Sequence, residues 1–241
     1  MAGDGALLSG TARRDLDAAV PPCPGWAVRD VLTHTAEVYE HKLACIALGA
    51  APKPWPPQWP ADRDPLDWYA DAHHRLLDVL TSTDPATPAY SWWPPDQTVG
   101  FWVRRMAQET AVHRVDVQSA FDAVTPIDDE LATDGVDEVL VVMLSGDWAE
   151  APVDPAAVGK RIEVATGGRS WLVGFAAEDI EVSAADGPQS AGGAGSVDAG
   201  VQGAPSSVLL WLWGRAADDE VTVSGDVEVV RQLRHRLAMA T

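Results

Sequence analysis

The chain has 241 residues, 46% of them apolar, and a formal charge of −19 from 36 acidic and 17 basic side chains, only three of which are lysines. That charge argues against a nucleic-acid-binding face, which needs a basic surface, and against a polybasic membrane patch; no apolar run reaches the ~20 residues of a transmembrane helix. The length suits one large domain or two small ones, and two cysteines, Cys23 and Cys45, make neither a disulfide framework nor a paired metal motif.

The first ten residues lack the basic start and the apolar run of a secretion signal. A reduced, cytoplasmic, monomeric or weakly dimeric globular protein is expected. Residues 5–19 carry a short, weak helical pattern. In VPPCPGW, residues 20–26, two prolines and a Pro-Gly pair force a turn. A helix is predicted over 27–48, with Val31, Val38 and Cys45 at helical spacing and Gly49 at its end. The proline-rich stretch 52–60 admits neither a helix nor a central strand. It reads as an extended crossover anchored by Trp55 and Trp59. Helices are predicted over 65–80, 101–121 and 134–144, the last closing the N-terminal set.

From residue 160 the period changes. KRIEVAT and SWLVGFA flank a Gly-Gly-Arg turn, a hairpin signal, and residues 180–182 read as a short strand. Residues 187–203, rich in Gly, Ser and Ala, read as a mobile loop. SSVLLWLWGR reads as a helix capped by Ser206 or Ser207. The chain ends as strand, turn and helix. The predicted class is α+β, with residues 1–152 as a helical bundle and 153–241 as a small α+β domain.

The helix predicted over 101–121 carries the chemical signal. Glu109 and His113, at i and i+4, share one face about 5–6 Å apart at Cβ and fall inside an apolar stripe of Trp102, Met106 and Val117. Polar groups on a core-facing stripe are costly unless something satisfies them. A divalent metal satisfies both at once. His34 is a matching anomaly on the stripe of Val31, Val38 and Cys45. One histidine from one helix and a Glu/His pair from another give three ligands with open positions, the layout of a catalytic zinc site. His41 shares the His34 stripe and is the alternative ligand. His73, His74 and His235 read as solvent-facing.

VPPCPGWAVRDVLTHTAE and QETAVHRVDVQSA together resemble the mycothiol-dependent maleylpyruvate isomerase family, and LLWLWGRAADDEVTVSGD resembles its C-terminal part. The resemblance implies a DinB-like four-helix bundle followed by a sterol-carrier-like α+β domain. It implies Zn²⁺ bound by His34, Glu109 and His113, mycothiol as the thiol, and Arg215 as a catalytic arginine. The implied activity is a thiol-dependent isomerase or S-transferase acting on an electrophilic small molecule. The residues alone leave three other readings open: a metal hydrolase on the same site, an Fe(II) oxygenase with a two-His-one-carboxylate triad, and a non-enzymatic binding protein for a small ligand.

Overall fold

The computed structural model describes residues 1–57, 59, 62–145, 153–186 and 197–240. The chain divides into two compact units, residues 1–125 and 126–241. Among the described residues there are seven α-helices and one five-stranded sheet, an α+β fold. No described helix is long and apolar enough to cross a membrane.

The first unit is built from α1 (Ala2–Ala12), α2 (Val28–Leu48), α3 (Pro65–Ser82) and α4 (Val99–Ser119). The three long helices lie close to their predicted spans. Pro65 occupies the first turn of α3, and the Asp64 carboxylate caps it by accepting from the Leu66 and Asp67 amides. Gly49 ends α2 in the left-handed conformation, φ 63°. The weak pattern over 5–19 becomes a true helix three residues earlier, ending at Ala12. Its Gly5 allows a close approach: a Cβ there would come within 2.2 Å of the His73 imidazole on α3. His73 is therefore not solvent-facing as its neighbour is. It is half-buried, stacked on Tyr69 with ring centroids 5.6 Å apart, and burial lowers its pKa.

The core of this unit is Leu8, Val31, Leu32, Tyr39, Tyr69, Leu76, Trp102 and Met106, all at most 1% exposed. α4 runs through its middle. Most side chains from Val99 to Gln118 are buried; Val103 is exposed and Arg104 and Ala107 are partly so, which leaves α4 a narrow solvent face near its start and none from Gln108 to Gln118. The crossover prolines bring Trp55 and Trp59 down as expected. Trp55 packs edge-on to His41 (4.8 Å between centroids), and Trp59 lies 5.0 Å from Trp68 of α3.

The helix expected to close the N-terminal set instead belongs to the second unit. It is longer than predicted: α5 (Asp129–Asp137) continues into π-type turns over Glu138–Leu144. Helical periodicity identified the helix but carries no information about which core it joins, so the division falls at 125/126 rather than 152/153. The fourth helix of the bundle is α1.

In the second unit β1 (Arg161–Thr166) and β2 (Arg169–Phe175) form the expected hairpin. Gly167 and Gly168 both have positive φ, 57° and 77°, as a type I′ turn requires. β3 (Ile180–Asp186) extends the strand predicted over 180–182 and pairs with β2. β4 (Ala199–Gln202) pairs parallel with β1 and antiparallel with β5 (Thr222–Gly225), giving the order β3-β2-β1-β4-β5. β4 overturns part of the loop expected over 187–203; residues 187–196 lie outside the described residues. Apart from Val201 its residues are not strand formers, and small ones suit its close packing. A Cβ at Gly200 would meet the Ser224 hydroxyl at 2.8 Å. Ile162, Val164, Trp171, Val173 and Val201 bury one face of the sheet, against which α7 (Val227–Ala240) packs. α6 (Pro205–Leu212) starts with Pro205, and its N-cap is Ala204 rather than a serine. The Ser206 hydroxyl is used elsewhere, accepting from the Ile127 amide at 2.9 Å.

Gly5→Ala should destabilise the first unit by about 1–3 kcal/mol through overpacking. His73→Ala should restore much of that loss. Urea unfolding of both variants and the pair tests the contact; additive losses would refute it.

Candidate metal centre

Three local features aim the site. The Pro-Gly turn over residues 20–26 closes with Trp26 N–H donating to the Cys23 carbonyl (2.9 Å) and Val20 N–H to the Trp26 carbonyl (2.9 Å). Gly25, at φ 85°, supplies the left-handed step. The turn lays the Trp26 indole beside His34, ring centroids 5.2 Å apart. The Asp30 carboxylate accepts from the Ala27 amide at 2.8 Å and starts α2. Further along, the Tyr39 hydroxyl donates to Thr110 Oγ1 at 2.6 Å, and Thr110 donates to the Met106 carbonyl. That buried bond sets the register of α2 against α4.

In this register His34, Glu109 and His113 meet. One donor atom from each lies within 4.8 Å of the others. Glu109 Oε1 is 3.1 Å from His113 Nε2 and 3.5 Å from His34 Nε2. Ligands at about 2.0–2.2 Å around a tetrahedral zinc stand roughly 3.3 Å apart, so the spacing fits a metal. Glu109 and His113 are buried, whereas the His34 side chain is 40% exposed. The fully buried face of α2 runs through Val31, Leu32, Thr35 and Tyr39. His34 stands at its edge and opens the cluster on one side.

Two neighbours escaped the sequence reading. Asp116, fully buried, holds His113 Nδ1 at 2.9 Å and leaves Nε2 for the cluster. A carboxylate behind a ligating histidine fixes its orientation and raises its basicity. Its signal was the i, i+3 spacing from His113. Arg105, one turn before Glu109, donates to Glu109 Oε2 at 2.5 Å and orients the carboxylate. Burial presses on the charged form of Glu109, but His113 and Arg105 outweigh it and hold the carboxyl well below the usual range. Burial likewise opposes charge on His113, yet Glu109 and Asp116 lift it to about 9.

His41 does not join the cluster. It lies two helical turns beyond His34, about 10 Å along the axis. Its Nδ1 faces Lys42 Nζ at 3.2 Å and Cys45 Sγ at 3.6 Å. Arg215 lies in the second unit, just after α6. Its guanidinium donates to the Trp213 carbonyl at 2.6 Å and stands 5.8 Å from the Trp213 ring. Its catalytic assignment rests on the resemblance. His235 is exposed on α7, as expected.

Residues 5–118 match the family model described as the mycothiol maleylpyruvate isomerase N-terminal domain. The N-terminal unit is similar to that domain over most of its length. All three cluster residues fall inside the matched span. Crystal structures of a mycothiol-dependent maleylpyruvate isomerase and of a point mutant of it are each 12% identical to this chain, with a TM-score of 0.59 over 92% of this chain and 89% of theirs. At that identity the likeness establishes a shared fold. A ubiquinone synthesis protein, UbiJ-SCP2, overlaps 46% of this chain and 97% of its own at 22% identity, with a TM-score of 0.29 too low to relate the folds. No curated protein sequence matches the chain.

The N-terminal unit should show one pH signature away from the cluster. Burial, then the Lys42 charge, holds His41 down at about 4. The unfolded chain takes up that proton near pH 6.5, so the stabilisation is complete above 6.5 and is lost as pH falls from 6.5 toward 4. His41→Asn should lose less stability than the wild type between pH 7 and pH 4.5 in urea titrations. Equal losses would refute the assignment.

Proposed function

We propose that the protein is a zinc-dependent, mycothiol-using isomerase or S-transferase. In this reading His34, Glu109 and His113 hold the metal, and a low-molecular-weight thiol adds to an electrophilic small molecule. The observation that carries it is the convergence of those three donors inside a span that matches the mycothiol maleylpyruvate isomerase N-terminal domain. A zinc ion bound there would supply a positive charge that favours the ionised form of an incoming thiol.

The chain's own residues do the rest. His113 presents Nε2 because Asp116 occupies Nδ1. Glu109 presents Oε1 because Arg105 occupies Oε2. Both are thus set in place before any ligand arrives, which lowers the ordering cost of binding. The partly exposed His34 leaves an approach for a thiol, and the Trp26 indole covers one flank of that imidazole. With the Nε2 proton of His113 released on metal binding, two neutral imidazoles and one carboxylate fit a site that keeps positions open for exchangeable ligands.

The purified chain should contain about one zinc. His34→Ala should lose it while staying folded, since His34 sits at the edge of the core. Asp116→Asn should weaken zinc binding by about 10–100-fold, and Glu109→Gln should weaken it by removing the one anionic ligand. In cobalt-substituted protein, mycothiol should give a near-ultraviolet thiolate–cobalt band. Full zinc occupancy in His34→Ala would overturn the ligand set. Thiol-independent hydrolysis without that band would overturn the thiol chemistry.

A further inference from the structure

Lys42 is one of three lysines in the chain, and its placement is unusual. It lies on α2, eight residues beyond His34. α2 and α4 run antiparallel here: His34 meets Glu109 and His113, Tyr39 meets Thr110, and Lys42 meets Trp102. Lys42 therefore occupies the next level of the helix pair that holds the His/Glu cluster. Eight residues span about 12 Å of helix axis. Side chains on a helix lean toward its N-terminus, which carries the ammonium back toward His34.

The ammonium is half-buried; burial disfavours its charge, the Glu109 carboxylate favours it from beyond ion-pair distance while engaged with Arg105 and His113, and the partners in direct contact are neutral. Nζ stands 4.9 Å from the Trp102 ring centroid and 3.2 Å from His41 Nδ1. His41 accepts through that nitrogen and carries no charge near neutral pH. Among the described residues no carboxylate lies within ion-pair reach of Nζ. The other cation at this level, Arg105, is engaged with Glu109. A partly desolvated cation with no carboxylate in direct contact is costly, and an arriving anion would offset that cost.

We propose that Lys42 is the group that holds the carboxylate of a small anionic electrophile beside the thiol-binding centre, and so sets the preference for carboxylate-bearing over neutral substrates. The proposal rests on the metal–thiol reading for its chemistry, but anion binding at Lys42 does not. A thiolate and a carboxylate brought together repel each other. A separate cation for the carboxylate leaves the metal's charge to the thiol.

The test uses the full chain and succinate, an unreactive dicarboxylate, followed by calorimetry in the wild type, Lys42→Met and Lys42→Arg. The same series is repeated in the His34→Ala background. Succinate should bind the wild type and dimethyl succinate should not. Lys42→Met should weaken succinate at least ten-fold, and Lys42→Arg should recover most of it. The same dependence should appear with His34→Ala, so a failure of the metal assignment is seen separately as zinc retention in that variant. In turnover with mycothiol, the acid-to-methyl-ester ratio of kcat/KM for one electrophile should fall ten-fold or more in Lys42→Met. Wild-type succinate affinity in Lys42→Met, no succinate binding by the wild type, or an unchanged acid-to-ester ratio would overturn the proposal.

Discussion

The structure depends on one constraint: α4 is buried along nearly its whole length and yet carries charge through the middle of the first unit. Arg105, Glu109, His113, Arg114 and Asp116 are all at most 8% exposed. Buried charge is tolerated only when paired and hydrogen-bonded. Here the pairing runs along the helix at i, i+3 and i, i+4, from Arg105 to Glu109 to His113 to Asp116. Arg114 turns the other way. It reaches Asp4 of α1 at 2.9 Å and, through its second nitrogen, Gln118 at 2.7 Å and the Thr125 carbonyl at 2.8 Å. One helix thus uses one set of charges to build the cluster and another to fasten α1 and the chain end of the unit.

This explains how a bundle with so short a first helix holds a precise site. α1 is only 11 residues long, too short to be stable by itself in water. It is held by Arg114, by the Gly5–His73 contact and by the burial of Leu8 and Ala12. α2 is held to α4 by the Tyr39–Thr110 bond. The positions of His34 and Lys42 relative to α4 both follow from that single register. A metal centre and an anion-holding lysine along one helix pair would give a two-point grip, in which the distance between reacting sulfur and carboxylate is set by the helix rise rather than by a loop.

Much of this was legible from the residues alone. The i, i+4 spacing of Glu109 and His113 on an apolar stripe, with His34 on another, identified the three side chains that meet, because helical periodicity is a local property. The Pro-Gly turn, the Gly49 stop, Pro65 at a helix start and the Gly167–Gly168 hairpin were legible for the same reason: each is a backbone preference of one or two residues. Family-specific stretches in the N-terminal half pointed to the domain family that the family model also matches.

What only the tertiary structure decided is everything that depends on a partner distant in sequence. Residues 134–144 read as helix, but whether that helix joins the bundle or the sheet unit depends on which apolar surface it meets. β4 has the composition of a loop and becomes a strand because β1 and β5 offer hydrogen-bonding edges on both sides. His73 and His74 are indistinguishable as neighbours until Gly5 of α1 arrives against one of them. Nothing in the helical pattern singles out Lys42 or Asp116. Their chemistry comes from burial, which a sequence pattern does not state, and from the neutral ring or the imidazole that the fold sets beside them.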